Sequence, residues 1–478
     1  MLLEMKDLEK SYGARTVISL KRLALYSGDK LAVVGKNGSG KTTLLKMVTG
    51  EEEPDAGRVI VRGRLGVIAQ FDTPEDRQAH SGGEKTAALI ARAFQDMPEL
   101  LLADEPTTNL DMESIERLEA QLVAFDGALM LVSHDRTLLK NVCTKVLEIE
   151  NGKCTLYSCG YEDYLAQKQR QLASQAAQYE AYAEEKSRLK KVAEDKARQS
   201  ASIKKAPSRM GNSEARRLKM GGQSQKAKLD RAAKAARSRL EHLEPVERPW
   251  QDKDISFDLR ATAIHSPVLV NVSGVSKRYG EKSVIEDCRF VVPNGKKTAL
   301  IGPNGAGKTT LLELIEARAS GVETCAHLRI GYFKQDLSTL DLSISVLENA
   351  MADAAYDQQF VRTVLARLLF RRDEVHKKAS VLSGGERLKL ALAKIILSGF
   401  HLLVLDEPTN FLDIDSRDAL EAVLRAYPGA VLFVSHDREF IEAVAERIVY
   451  IEGKKTHTFE GSLEEYVQRI HGEVKQYE

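Results

Sequence analysis

The chain has 478 residues, of which 43% are hydrophobic, a length typical of about three domains with sizeable cores. Its net charge of +1 hides an uneven distribution, because residues 186–240 hold 18 Lys and Arg against 4 Asp and Glu, and the remainder therefore carries −13. No apolar run is long enough to span a bilayer, and the five cysteines contain no Cys-x-x-Cys pair. The N-terminus does not have a signal-peptide pattern either. These features exclude membrane-spanning, disulfide-built and zinc-ribbon classes and predict a cytoplasmic protein with a polyanionic partner.

Two phosphate-binding loops stand in the same sequence context. Residues 35–42 and 302–309 both fit the pattern G-x-x-x-x-G-K-[ST], and each follows a short apolar run that predicts a buried parallel strand. The glycines let backbone N–H groups surround phosphates, the following helix adds its positive end, and the lysine reaches the outer phosphates. The loops therefore predict two ATP sites. Their predicted ATP-binding residues are Gly35, Asn37, Gly38, Ser39, Gly40, Lys41, Thr42, Thr43, Gly302, Asn304, Gly305, Ala306, Gly307, Lys308, Thr309 and Thr310.

The loops belong to a longer internal repeat. Lys41 and Lys308 are 267 residues apart, whereas Asp104 and Asp406 are 302 apart. The copies are collinear, and the second has additional residues between Gln335 and its Ser-Gly-Gly-Glu sequence. The repeat predicts two α/β nucleotide-binding domains, residues 1–160 (the first half) and 267–478 (the second half).

Each half also has an apolar run that ends in Asp-Glu and a later Val-Ser-His-Asp-Arg. The aspartate can bind Mg²⁺, the glutamate can polarise the attacking water, and the histidine suits a γ-phosphate sensor. A tyrosine near the start of each half could stack on adenine or pack in the core. The predicted catalytic residues are Glu105, Glu407, His134 and His436; the predicted Mg²⁺ ligands are Thr42, Gln70, Asp104, Thr309, Gln335 and Asp406; Tyr12, Tyr279, Gln70 and Gln335 are further predicted ATP contacts.

A Ser-Gly-Gly-Glu sequence opens a predicted helix in each half. A helix start can bind an anion, but each half already holds its phosphates in its own loop. We therefore expect each Ser-Gly-Gly to cap the ATP of the other half, which would give two composite sites in a monomeric chain. The residues concerned are Ser81, Gly82, Gly83, Ser383, Gly384 and Gly385.

Residues 161–266 predict a basic helical hairpin between the halves. Residues 161–206 contain no Gly or Pro and predict a helix of about 45 residues, roughly 68 Å long. Residues 207–223 contain Pro and Gly and predict a break, which would be the tip of the hairpin, and helical spacing resumes over 224–244. A solvated helix face is the alternative to a binding surface, but the excess of positive charge favours binding of a polyanion.

At these motifs the chain resembles the ATP-binding cassette superfamily, in which Asp111 and Asp413 would be the Asp-loop residues. A fused pair with Glu after Ser-Gly-Gly, the sequence Asp-Glu-Pro-Thr-Asn-Phe-Leu-Asp413 and a basic linker resembles the F subfamily over the whole chain. The resemblance implies two P-loop cassettes and Mg²⁺-dependent ATP hydrolysis. It also implies binding to the 70S ribosome at the tRNA exit site, near P-site tRNA.

Only ten residues separate Gln70 from Ser81, so the arm that housekeeping members insert there is missing. In this the chain is similar to members that protect ribosomes from lincosamides, pleuromutilins and streptogramin A by inserting the linker tip near the peptidyl-transferase centre. The alternatives are a housekeeping factor acting on stalled ribosomes, a transporter subunit and a DNA-repair ATPase. The residues do not decide which antibiotics are countered or whether both sites hydrolyse ATP equally fast. The rRNA contacts implied by the resemblance are Lys204, Lys205, Arg209, Met210, Arg216, Arg217, Lys219, Lys226 and Lys228.

Overall fold

The computed structural model describes residues 1–69, 82–203, 212–246, 264–334, 339–410 and 412–474. The chain divides into two compact units, one formed by Met1–Glu162 with Lys253–Glu478 and the other by Asp163–Asp252. The first unit therefore contains both halves of the repeat, and the second contains the hairpin between them.

The described part of the first half forms one twisted sheet with helices against it. Its strands are β1 (Leu3–Tyr12), β2 (Arg15–Leu25), β3 (Lys30–Val34), β4 (Ala56–Val61), β5 (Leu65–Ile68), β6 (Leu100–Asp104), β7 (Ala128–Val132), β8 (Lys145–Glu150) and β9 (Lys153–Tyr157). Its helices are α1 (Lys41–Thr49), α2 (Gly82–Gln95), α3 (Met112–Ala124) and α4 (Arg136–Val142). The strand order is β4-β1-β2-β9-β8-β3-β7-β6-β5, and β5, β6, β7, β3 and β8 run parallel.

The hairpin unit is made mainly of two helices, α5 (Tyr161–Ser202) and α6 (Asn212–Glu241). They run antiparallel within this unit, because Ser200 near the end of α5 donates to Asp230 at 2.5 Å, whereas the earlier Glu185 is near the later Arg239 of α6. Leu189 and Ala193 of α5 and Ala233 and Ala236 of α6 are buried. The small alanine side chains let the two backbones approach closely, which suits a narrow two-helix hairpin.

The predicted break between the hairpin helices is shorter than the sequence suggested. Helix α6 begins at Asn212, so residues 212–223, which we predicted as part of the break, are helical. Glycine in a helix costs about 1 kcal/mol relative to alanine, and the good helix formers around Gly221 and Gly222 outweigh that cost. Helix α5 covers most of the predicted residues 161–206 and ends at Ser202.

The second half repeats the first with one added helical layer. Its strands are β10 (Val268–Tyr279), β11 (Lys282–Pro293), β12 (Lys297–Ile301), β13 (Val322–Thr324), β14 (Ile330–Phe333), β15 (Leu402–Asp406), β16 (Ala430–Val434), β17 (Arg447–Glu452) and β18 (Lys455–Glu460). Its helices are α7 (Lys308–Glu316), α8 (Val346–Met351), α9 (Gln358–Arg367), α10 (Gly384–Leu397), α11 (Ile414–Ala426), α12 (Arg438–Val444) and α13 (Leu463–Val474). The additional residues of this half include α8 and α9.

The sheets of the second half place its loops as in the first half. Strands β14, β15, β16, β12 and β17 run parallel, β18 pairs antiparallel with β17, and β11, β10 and β13 form a separate sheet. Strand β16 is buried along its whole length, and fully burying one such apolar side chain stabilises a fold by about 2 kcal/mol. The predicted α/β fold is confirmed in both halves, and the predicted functional loops follow the carboxyl ends of neighbouring parallel strands.

Among the described residues no helix combines the length and the apolar character needed to cross a membrane.

Candidate functional site

The loop of residues 35–42 connects β3 to α1 and encloses a lysine. Lys41 Nζ donates to the carbonyl oxygens of Gly35 at 2.7 Å and Lys36 at 3.2 Å. Gly40 has a φ of +107°, and a Cβ there would lie 2.4 Å from Val17 Cγ1, so the turn into α1 requires glycine. The loop around Lys41 is the centre of the first site.

The loop of residues 302–309 repeats this geometry between β12 and α7 and is the centre of the second site. Lys308 Nζ donates to the carbonyl oxygens of Gly302 at 2.8 Å and Pro303 at 3.0 Å. Gly307 has a φ of +98°, and a Cβ there would lie 2.7 Å from Ile285 Cγ2. Burial lowers the pKa of both lysines, and the nearby glutamates and aspartates oppose that shift.

Hydroxyl and carboxylate oxygens meet beside each loop. Thr42 Oγ1 donates to Asp104 Oδ2 at 3.0 Å. In the second site burial raises the pKa of Asp406, and a hydrogen bond from Thr309 opposes that rise. Oxygen donors of these two types, next to a phosphate-binding loop, fit the ligand preference of Mg²⁺.

A glutamate and a histidine face each other in both sites. Glu105 and Glu407 directly follow β6 and β15, and each has a φ of +49°, in the left-handed region. His134 Nε2 lies 3.4 Å from Glu105 Oε1, and His436 Nε2 lies 3.2 Å from Glu407 Oε1. Both pairs are therefore within reach of one water or one phosphate oxygen.

The glutamate carboxylates have capacity for such a ligand. Apart from the contacts with the facing histidines, both side-chain oxygens of Glu407, together with Glu105 Oε1, are buried without a hydrogen-bond partner among the described residues, and so is His134 Nδ1. A buried polar atom without a partner is costly unless a ligand or water satisfies it. The site is therefore built for a polar substrate that reaches these atoms.

Burial dominates the protonation of these groups. It raises the pKa of Glu105, opposed by Arg417 and Lys41, and it raises the pKa of Glu407 to about 7. It lowers the pKa of His134 well below the usual value and that of His436 to about 4. Both imidazoles are therefore neutral near pH 7.

The two halves contact each other directly at both phosphate loops. Asp413 of the second half accepts a hydrogen bond from Asn37 N at 3.2 Å, and Asp111 of the first half accepts one from Asn304 N at 3.1 Å. Each aspartate also caps its own helix, since Asp413 accepts from Ser416 N in α11 at 3.0 Å. Each phosphate loop is therefore tied to the opposite half by an aspartate.

Each site cavity is lined by both halves. The first is about 520 Å³, surrounds Lys41 and includes Gly385 and Asn410 of the second half in its wall. The second is about 670 Å³, surrounds Lys308 and includes Thr107 and Asn109 of the first half. These volumes suit a small-molecule ligand, and the shared walls make the sites composite.

The predicted Ser-Gly-Gly residues are placed at helix starts. Ser383 is the N-cap of α10, with a reciprocal capping box to Glu386, and Gly384 and Gly385 form its first turn. Gly385 thus brings α10 of the second half to the first site. Gly82 and Gly83 begin α2, while Ser81 lies outside the described residues.

The two tyrosines are placed alike in the two halves. Tyr12 is 52% exposed and Tyr279 is 54% exposed, and each ring lies under a lysine of its own strand, Lys10 at 5.6 Å and Lys277 at 5.4 Å. Tyr12 lines the first cavity, and its hydroxyl donates to Glu52.

Several predicted residues lie outside the described part of the chain. They are Gln70, Ser81, Lys204, Lys205, Arg209, Met210 and Gln335, and the side chains of Arg216, Arg217 and Lys219 are not described either. Lys226 and Lys228 are exposed on α6.

Sequence reasoning missed Arg417, which lines the first cavity. Its guanidinium donates to the carbonyl oxygen of His134 at 2.9 Å and to Asp437 at 2.7 Å. The internal repeat does indicate Arg417, because the corresponding residue of the first half, 302 positions earlier, is the uncharged Ile115.

Comparison with known proteins identifies the family. A family model described as ABC transporter matches residues 20–80 and 285–410, and a second model of that description matches residues 147–216. The erythromycin resistance ATP-binding protein MsrA of Staphylococcus epidermidis is 31% identical over 92% of this chain and 95% of its own length. The chain belongs to the ABC-F family. It is therefore an ATPase with two nucleotide-binding cassettes, one in each half.

Other similar proteins agree with this assignment. The ribosome protection protein VmlR of Bacillus subtilis is 30% identical over 90% of this chain and 82% of its own length. The ATP-binding protein Uup of Caulobacter vibrioides is 32% identical over 95% of this chain and 78% of its own length. The archaeal ribosome recycling factor aABCE1, solved in complex with the ribosomal stalk protein aP1, has a TM-score of 0.63 at 18% identity over 98% of this chain and 92% of that one. That likeness shows a shared fold.

Proposed function

We propose that this ABC-F ATPase closes its two halves around two ATP molecules, binds the ribosome in that closed form, and releases it after hydrolysis. The reciprocal contacts Asp413–Asn37 and Asp111–Asn304 carry this proposal. They join the loop that holds phosphate in one half to a helix start in the other half. ATP bound at either loop would therefore stabilise the contact between the halves.

Hydrolysis would use the groups that surround each loop. Glu105 and Glu407 would orient the attacking water, while His134 and His436 would contact the γ-phosphate as neutral imidazoles. Lys41 and Lys308 would hold the outer phosphates. Mg²⁺, held by Thr42 with Asp104 and by Thr309 with Asp406, would neutralise charge on the β- and γ-phosphate oxygens.

The ribosome is the partner that we infer from the hairpin and from the relatives. The hairpin is strongly basic, its Lys226 and Lys228 are exposed, and rRNA is a polyanion that such a surface binds. MsrA is named for erythromycin resistance and VmlR for ribosome protection. We propose that the protein acts in the cytoplasm, where its hairpin enters the tRNA exit site of the ribosome. The tip of the hairpin would protect the peptidyl-transferase centre from antibiotics.

Replacing both Glu105 and Glu407 with Gln tests the cycle. The double variant should bind ATP but hydrolyse it very slowly, so the closed form should accumulate and sediment with 70S ribosomes in ATP far more than in ADP. The matched control replaces the exposed Glu51 and Glu281 with Gln and should sediment like the unmodified chain. Equal sedimentation of the double variant in ATP and ADP would contradict the proposal.

The unmodified chain tests the protective role in the same preparation. It should restore in-vitro translation in the presence of lincomycin or tiamulin, and the restoration should require ATP. If the double variant sediments as expected but translation is rescued from neither drug, a housekeeping role on stalled ribosomes becomes the better assignment.

A further inference from the structure

Arg417 is held between the two halves, in the first turn of α11. Its Nη1 donates to the carbonyl oxygen of His134 in the first half at 2.9 Å and to Asp437 of its own half at 2.7 Å. Its Nε donates to the carbonyl oxygen of Leu412 at 3.1 Å. The side chain is only 13% exposed, so three acceptors fix the guanidinium at the contact between the halves.

The internal repeat has no arginine at the matching position. Ile115 stands 302 residues before Arg417 and is buried in α3 of the first half. Isoleucine cannot donate a hydrogen bond to the carbonyl oxygen of His436. Position 417 and position 115 therefore break the two-fold relationship between the halves.

Other cross-half arginines do follow the repeat. Arg136 of the first half donates to the carbonyl oxygen of Ile414 at 3.2 Å, and Arg438, its counterpart 302 residues later, lies 3.6 Å from Glu119. Each half thus contributes an arginine that attracts the other half. The contact that is specific to Arg417 is the one to the backbone of a catalytic histidine.

That contact fixes the peptide groups on both sides of His134. Its backbone N donates to Glu105 Oε2 at 3.1 Å, and its carbonyl oxygen accepts from Arg417. The same histidine places Nε2 3.4 Å from Glu105 Oε1. When the halves separate, Arg417 leaves with the second half and only the bond to Glu105 remains.

We propose that Arg417 is a positioning residue that couples closure of the halves to hydrolysis at the first site, and that the second site lacks this coupling. The inference rests on the two-site ATPase part of the proposed function. Opening the halves removes a donor from the His134 carbonyl in the first site, whereas Ile115 supplies none to His436 in either state. The two sites are consequently unequal, because opening of the halves takes the arginine away from the histidine of the first site and changes nothing at position 115.

Single-site backgrounds test this inference without ribosomes. Glu407→Gln leaves hydrolysis to the first site, and Glu105→Gln leaves it to the second. In the Glu407→Gln background, Arg417→Ile should lower kcat about 10- to 100-fold, as expected for the loss of a charged hydrogen bond, with KM for ATP changed less than about threefold. In the Glu105→Gln background the same substitution should change kcat less than about twofold.

Two further variants separate positioning from interface stability. Arg417→Lys keeps the charge and a single donor nitrogen, so it should recover part of the kcat lost in the Glu407→Gln background. It serves as the deciding variant if Arg417→Ile does not fold. Arg438→Ile removes a cross-half cation that is not among the described residues lining either cavity, so it should not reproduce the selective loss of kcat in the Glu407→Gln background. The inference is overturned if Arg417→Ile lowers kcat equally in both backgrounds, or if it lowers kcat in neither. The same two outcomes with Arg417→Lys overturn it if that variant decides. A chain that shows the expected asymmetry but does not sediment with ribosomes would refute only the ribosomal part of the proposed function.

Discussion

Asp413 is the residue whose loss should report most directly on closure. Its carboxylate is 7% exposed and has two structural tasks: it caps α11 through Ser416 N at 3.0 Å, and it accepts from Asn37 N in the other half at 3.2 Å. Asp413→Ala removes both contacts. Asp413→Asn retains an oxygen that can cap the helix but removes the negative charge.

The two tasks predict separable losses. Losing the cap should cost about 1 kcal/mol. A loss of that size should lower the melting temperature of a half of this length by about 2–4 °C. Losing a charge-assisted hydrogen bond across the halves should cost a further amount of about 1.5–3 kcal/mol, and only in the closed form. Asp413→Ala should therefore lower both thermal stability and ATP-driven closure, whereas Asp413→Asn should mainly weaken closure.

Thermal denaturation without nucleotide measures the loss of stability. Distance-dependent fluorescence between labels on the two halves measures closure. Closure should be measured with Glu105 and Glu407 replaced by Gln, so that hydrolysis does not reverse it. Asp111→Ala is the matched variant at the second site and should weaken closure similarly. If Asp413→Ala and Asp413→Asn lower the melting temperature equally and leave closure unchanged, the cross-half contact does not stabilise the closed form.

Two other predictions concern pH and salt. Burial raises the pKa of Asp135 to about 6, with Asp437 adding to the rise and Arg438 and Arg417 opposing it. The folded carboxyl therefore binds its proton more tightly than the unfolded one, so the folded state should lose up to about 3 kcal/mol between pH 4 and 6. Asp135→Asn should consequently raise the melting temperature at pH 7.5 more than at pH 4.5, and an equal effect at both would contradict this. Lys226→Ala with Lys228→Ala should reduce the slope of log binding constant to 70S ribosomes against log salt by about 1–2, and an unchanged slope would place the rRNA contact elsewhere.

The parts of the fold that the sequence predicts are those in which local pattern and tertiary packing agree. The apolar runs before Lys41 and Lys308 were predicted as strands and are β3 and β12. Their length and their position before a glycine loop leave little choice of structure. The start of α6 was harder, because the glycines of residues 212–223 indicate a break although the chain there is helical.

The contacts between the halves show where sequence reasoning ends. The two Ser-Gly-Gly sequences predict composite sites, because a helix start can bind an anion and each half already holds its phosphates in its own loop. The contact of Arg417 with His134 could not be predicted, because it joins residues 283 positions apart through the packing of α11 against the other half. In the alignment of the two halves, however, the cation Arg417 stands at the position that corresponds to Ile115.

Joining the two halves in one chain gives their interface a freedom that a symmetric dimer of identical chains does not have. In a symmetric dimer an arginine at this position would reach the histidine backbone of both sites. In the fused chain Asp111 and Asp413 make the cross-half contacts at both loops, while positions 115 and 417 hold different residues. Closure can therefore require ATP at both sites while the arginine coupling that we propose acts at the first. Such a division would let the second site hold the halves together while the first determines when they separate.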